Sequence, residues 1–113
     1  MAGDTHNGWA FNLANEAGQA VGVEFGTPGV TSPGLETYIP IPPEKMFSIL
    51  KEVSPELSYA DTSKRGWTKV ILTPESATAQ WQFVSSVIDT KYSTSKGIEL
   101  KTLAGSRRLI EAS

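Results

Sequence analysis

The sequence predicts an α+β chain of 113 residues, mostly antiparallel β with a single helix. Three observations lead there. Two pairs of short apolar runs alternate with a period of two, and each pair is joined by turn residues. One stretch carries apolar residues at helical spacing. The composition, 39% hydrophobic and 19% charged with 10 Gly and 7 Pro, is that of a loop-rich globular segment. At this length folding buries roughly two-thirds of the surface of the extended chain. That suffices for one core, so residues 1–113 are read as a single domain.

Trp9–Leu13 and Ala20–Phe25 are rich in strand formers, and Asn15 to Gln19 between them suits a turn, so the first element is a hairpin. Trp9, Phe11 and Leu13 share one face, as do Val21, Val23 and Phe25, so each strand is expected to turn that single apolar side to the core. Gly26 to Gly34, with two prolines and three glycines, reads as a structured loop. An ordinary crossover between layers is the preferred account of it, with a functional loop as the alternative. Pro42-Pro43 open a helix over Glu44–Val53, whose Met46, Phe47, Ile49, Leu50 and Val53 form a stripe expected to pack into the core; Ser54-Pro55 stops it.

From Gly66 the period returns to two. Trp67–Thr73 is a predicted strand with Val70 and Leu72 facing one way. Thr73-Pro74-Glu75 makes a turn, and Ala79, Trp81, Phe83 and Val87 alternate inward on a following strand, giving a second hairpin. A polar stretch from Asp89 to Gly97 leads to a last short strand, Ile98–Leu103, and then a tail. The chain shows no internal repeat and no linker.

The net charge of −2, with Lys and Arg scattered except at Arg107-Arg108, argues against a nucleic-acid partner. Absence of cysteine excludes disulfide and thiolate chemistry and leaves the compartment open. No apolar run approaches the ~20 residues of a membrane span, and the first residues have no basic start or apolar stretch. The expectation is a soluble chain without an export signal or a membrane partner.

His6 is the only histidine, two residues after Asp4 and just ahead of a strand. A lone histidine near a terminus is ordinarily a solvated side chain. Asp and His two apart also reach one metal centre from a loop, since carboxylate oxygen and neutral imidazole nitrogen suit Zn, Mn or Fe. Two ligands do not close a site, and the remaining acids have no recognisable metal spacing. No Gly-x-Ser-x-Gly, P-loop or dinucleotide fingerprint occurs. Nothing singles out a glycosidase pair among the twelve acids. Trp9, Trp67 and Trp81 stand at strand positions, where core packing is preferred to a sugar platform.

Several blocks in order carry a family resemblance: Gly3-Asp4-Thr5-His6-Asn7-Gly8-Trp9, Val23-Glu24-Phe25, Thr31-Ser32-Pro33-Gly34, Tyr59-Ala60-Asp61 with Arg65-Gly66-Trp67, then Thr73-Pro74-Glu75 and Trp81. Over nearly its whole length the chain resembles the C-terminal part of PhoD-like alkaline phosphatases and phosphodiesterases, members of the calcineurin-like metallophosphoesterases. The resemblance implies part of the metallophosphoesterase sandwich. It also implies hydrolysis of phosphate esters at a two-metal centre of Fe, Ca, Mn or Zn. Gly3-Asp4-Thr5-His6 looks like the last metal-binding motif of that family, in which most relatives have Gly-His-x-His. His6 and Asp4 would then be metal ligands, Asn7 would add a hydrogen bond to the ligand set or serve as a turn residue, and Thr31 and Ser32 would shape the substrate's neighbourhood. Family members are often exported.

The family's earlier motifs, Asp-x-His, Gly-Asp-x-x and Gly-Asn-His-[Asp/Glu], are absent, and Ser54-Pro55-Glu56 stands where relatives often have Asn-Pro-His. The isolated chain is therefore expected to be incomplete and not catalytic alone. It reads as a fragment or as one piece of a split enzyme completed by an N-terminal half. The alternative is a non-catalytic, β-rich binding or self-association domain derived from that fold. Exposed sheet edges predict a homo-oligomer.

Overall fold

The computed structural model describes residues 1–3, 6–31, 41–86 and 90–111. Strands β1 (Gly8–Ala14), β2 (Ala20–Gly26) and β3 (Leu57–Asp61) form an antiparallel sheet in the order β2-β1-β3. Strands β4 (Arg65–Leu72), β5 (Ser76–Val84), β6 (Thr94–Leu103) and β7 (Ile110–Glu111) form a second antiparallel sheet in that order. The one helix among the described residues is α1 (Pro43–Val53). None is long and apolar enough to cross a membrane.

Both expected hairpins form, and their turns follow from side-chain chemistry. Asn15 Oδ1 accepts from the backbone N–H groups of Ala17 (3.0 Å) and Gln19 (2.9 Å), and Gly18 takes φ 79°, a conformation that favours glycine. In the second turn, Thr73 Oγ1 accepts from the N–H of Ser76 at 3.0 Å. Helix α1 begins after the extended Pro42, whose carbonyl accepts from Met46 N–H at 2.9 Å, and ends where Ser54 N–H donates to Leu50 at 2.9 Å. Lys51 Nζ then donates to the carbonyls of Pro55 (2.9 Å) and Leu57 (2.5 Å), tying the helix to β3.

The core lies between the two sheets. Ala10, Phe25, Ala79, Trp81, Phe83 and Leu100 are buried there, with Val23, Tyr59, Val70 and Ile98 packed against them. Trp81 is fully buried and lies edge-on to Phe25, with ring centroids 6.0 Å apart. The inward alternation of β5 is as expected through Phe83; Val87 lies outside the described residues.

Several expectations are corrected. The face of β1 that meets the second sheet is Gly8 and Ala10, not Trp9, Phe11 and Leu13, which are half-buried on the opposite side. The cause is size complementarity: a Cβ on Gly8 would stand 3.2 Å from the Trp81 ring, so the bulk in this space comes from β5 and the small residues from β1. Of the helix stripe only Met46 is buried, while Ile49 and Val53 are exposed, because α1 lies against β3 rather than across a broad sheet. Trp67 is 40% exposed on the outer face of β4, so it is not a core tryptophan. Leu72 shares the Val70 face but is 75% exposed, because it stands at an open groove of about 450 Å³ that Val23, Ala77 and Leu103 also line.

Strand β3 was not foreseen, and β6 begins at Thr94, well before Ile98. In β6 the register shifts where Gly97 and Ile98 stand opposite Trp81. A Cβ on Gly97 would come within 2.3 Å of the Phe83 ring, so the close approach requires glycine. The polar residues before it pair as a regular strand because the outer face of this sheet is wet. There Lys96 meets Glu99 at 2.6 Å, and Gln80 Nε2 donates to Glu99 at 3.0 Å. The terminal Ile110 and Glu111, expected in a tail, pair with β6 as β7.

Candidate functional site

His6 stands immediately before β1 with its side chain exposed, and its backbone takes φ 63°. For a residue with a Cβ this left-handed conformation costs roughly 1–2 kcal/mol, although histidine is among the residues that adopt it most often. Its backbone groups are held on three sides. The His6 N–H donates to Gly3 O at 3.2 Å, and the His6 carbonyl accepts both from Gly29 N–H at 3.3 Å and from Arg65 Nη1 at 2.6 Å. A hydrogen bond from a charged donor is worth roughly 1.5–3 kcal/mol, enough to offset the strain.

Arg65 opens β4 and is only 6% exposed. Its Nη2 also donates to the Thr62 carbonyl, at 3.4 Å, so the guanidinium spans from the β3–β4 turn to the His6 loop. That turn is closed by Asp61, whose Oδ1 accepts from the N–H groups of Ser63 (2.9 Å) and Lys64 (2.8 Å). Gly66, the next residue, donates its N–H to Gly29 O at 3.1 Å. Thus one short stretch, Arg65-Gly66, grips both His6 and the Gly29 backbone that itself holds His6.

The floor of this region is the aromatic core. Trp81 Nε1 donates to Gly26 O at 2.9 Å, and the Tyr59 ring lies 5.1 Å from that of Trp81. Burial, with the Asp61 carboxylate as a second cause, pushes the Tyr59 phenol well above its ordinary range, so it stays protonated at any physiological pH. On the N-terminal side Ala2 joins the same end of the fold, donating to Phe25 O and accepting from Thr27 N–H, both at 2.9 Å.

Of the residues expected to form the site, His6 and Asn7 are adjacent here, the first exposed and the second 3% exposed. Thr31 is exposed. Asp4 and Ser32 lie outside the described residues. Among the described residues no group of three or more His, Cys, Asp or Glu stands ready to hold a metal. The donor type fits a metal centre and the donor number does not close one. The sequence does not show that Arg65 reaches the His6 carbonyl. Its signals in the sequence are its place in the Arg65-Gly66-Trp67 block and a charged residue followed by glycine at the start of an apolar strand.

Comparison with known proteins bears on this arrangement. The family model described as PhoD-like phosphatase matches residues 1–81, which include His6, Gly29, Arg65 and Trp81. Among curated proteins, none matches the chain. A solved structure titled "Structure of PhoD" superposes with a TM-score of 0.77 at 20% identity. It covers 98% of this chain, and the chain spans about a fifth (21%) of the length of that one. At this identity the likeness speaks for the fold.

Proposed function

The chain belongs to the PhoD-like phosphatase family, and from that premise we propose that it is the C-terminal portion of a metal-dependent phosphoric ester hydrolase of the alkaline phosphatase D type. On this reading its two sheets are one part of the metallophosphoesterase sandwich. His6 and Asp4 supply metal ligands, and the rest of the ligand set comes from a complementing N-terminal half. His6 and Asp4 would be among the residues holding a two-metal centre of Fe, Ca, Mn or Zn, which would supply Lewis-acid binding of the phosphate and a hydroxide nucleophile near neutral pH.

The observation that carries the reading is the presentation of His6: a strained, left-handed residue, exposed two positions ahead of β1, whose backbone is anchored. Strain of this kind persists where the surroundings over-determine it and is concentrated at functional sites. On this reading Asn7, next in the chain and buried, adds a hydrogen bond to the ligand set, and Thr31 and Ser32 would shape the substrate's neighbourhood.

The test is hydrolysis of p-nitrophenyl phosphate and bis-p-nitrophenyl phosphate with added Mn, Zn, Fe or Ca. The isolated chain is expected to be inert. Mixed with an N-terminal half carrying the missing motifs, it is expected to gain activity that His6→Ala abolishes. Metal-dependent turnover by the isolated chain, or complemented turnover indifferent to His6→Ala, would overturn the proposal.

A second reading rests on a different observation. Leu72 and Leu103 are exposed at the groove that Val23 and Ala77 also line, a surface suited to self-association. On this reading the chain is a non-catalytic domain that forms a homo-oligomer. A light-scattering mass near 12.2 kDa across micromolar concentrations removes it.

A further inference from the structure

We propose that Arg65 is a positioning residue for His6: its guanidinium sets the backbone conformation that aims the imidazole, without touching metal or substrate itself. The proposal rests on the reading of His6 as a metal ligand.

Three observations support it. First, Arg65 Nη1 donates to the His6 carbonyl at 2.6 Å, a short contact made across 59 residues of sequence. A bond of this kind fixes the peptide plane that follows His6, and with it the direction of the left-handed turn. Second, the guanidinium is itself fixed. It is 6% exposed, and Nη2 reaches Thr62 O, so one planar fork joins the His6 carbonyl to the β3–β4 turn. Third, the next residue reinforces the same geometry from the backbone, because Gly66 N–H holds Gly29 O while Gly29 N–H holds His6 O.

Gly66 has to be glycine for β4 to pair with β5 here, since a Cβ there would stand 1.8 Å from the Gln82 carbonyl oxygen. The pair Arg65-Gly66 thus works as one unit, the arginine gripping His6 from its side chain and the glycine holding Gly29 through its backbone N–H while seated tightly against β5. A ligand held this way is preorganised, and a displacement of about 1 Å at such a site is enough to lower turnover by two orders of magnitude.

The test is NMR spectroscopy on the 113-residue chain labelled with 15N and 13C. In the wild type, the Arg65 Nη protons are expected as separate, slowly exchanging resonances with nuclear Overhauser contacts to the His6 backbone. A single exchange-averaged guanidinium signal overturns the proposal without recourse to any variant. Arg65→Met keeps the aliphatic bulk and removes the donors. With the Trp81 indole resonance unmoved as the mark of an intact core, its His6 Cα and Cβ shifts should leave the left-handed range. The Gly29 amide should exchange roughly tenfold faster or more, and trace Mn2+ should lose its selective broadening of the His6 ring. Arg65→Lys should restore part of each, because one ammonium can still reach one carbonyl.

Wild-type His6 shifts and Gly29 exchange in Arg65→Met would sink the idea. So would losses spread evenly over the core with no preference for His6 and Gly29, which is the signature of a merely structural arginine. Failure of the ligand reading looks different: Mn2+ would spare the His6 ring already in the wild type, while Gly29 exchange would still decide whether Arg65 positions the loop.

Discussion

The indole N–H of Trp81 donates to the Gly26 carbonyl at 2.9 Å, joining the middle of one sheet to the end of the other. Gly26 directly precedes the Thr27 to Gly29 backbone that holds Ala2 and His6, so the deepest side chain of the core and the exposed histidine are linked through a few peptide units.

Trp81→Phe should therefore cost about 2–4 kcal/mol, combining a carbonyl left without its donor and a partly filled cavity. Trp81→Ala should cost about 3–5 kcal/mol or more. Against a typical total of about 5–15 kcal/mol, the second change is severe. Urea unfolding reads both, and a loss under about 1 kcal/mol for Trp81→Phe would show that the bond to Gly26 contributes little.

Gly66→Ala should destabilise by at least about 1–3 kcal/mol, because its Cβ would overlap the Gln82 backbone and neither strand can yield cheaply. Two other glycines serve as controls. A Cβ at Gly22 meets nothing within 4 Å, so Gly22→Ala should be nearly neutral. Gly18→Ala meets nothing either but sits at φ 79°, so its cost of about 1 kcal/mol is purely conformational. Thermal midpoints should fall in the order Gly22, Gly18, Gly66.

Tyr59 makes stability depend on alkaline pH. Burial, then the Asp61 charge, holds its phenol protonated in the folded chain above the value of about 10 that it has when unfolded. The unfolded chain therefore releases this proton first, and stability, complete below pH 10, must fall as pH rises beyond it. Tyr59→Phe should flatten that fall relative to the wild type. Unfolding curves between pH 8 and 11 measure the difference, and identical slopes would refute the assignment.

Asn12 ties three segments together. Its Oδ1 accepts from Leu109 N–H at 2.8 Å, its Nδ2 donates to Ser58 Oγ at 2.8 Å, and its own N–H donates to Glu56 O at 2.8 Å. Asn12→Ala should cost about 1–3 kcal/mol and speed exchange of the Leu109 amide. Asn12→Asp, which keeps the acceptor, should lose less. Equal Leu109 exchange in all three proteins would show that the C-terminal segment is held by other means.

The elements whose patterns are local were legible. The hairpin β1–β2 is announced by alternating apolar residues around Asn15 and Gly18, and α1 by Pro42-Pro43 and a period near 3.6. Strand β3 was not, because Leu57–Asp61 is too short to show a period and becomes a strand only by pairing with β1 across more than forty residues. The Thr94 to Gly97 part of β6 was hidden for a related reason: its polar side chains suit a wet sheet face and read as loop until β5 is beside them.

At the site, residue types alone pointed to His6 as a possible donor, and the ordered blocks pointed to the family. The sequence by itself determined the two hairpins with their turns, the helix, and that the recognisable donor set is short of a full metal centre, since these depend on chemistry and spacing along the chain. Only the tertiary structure decided that β1 turns its small face to Trp81 and that Arg65 reaches the His6 carbonyl. Both are contacts between residues about sixty or seventy positions apart, and no local preference encodes which bulk fills a shared space or which carbonyl a buried guanidinium will meet.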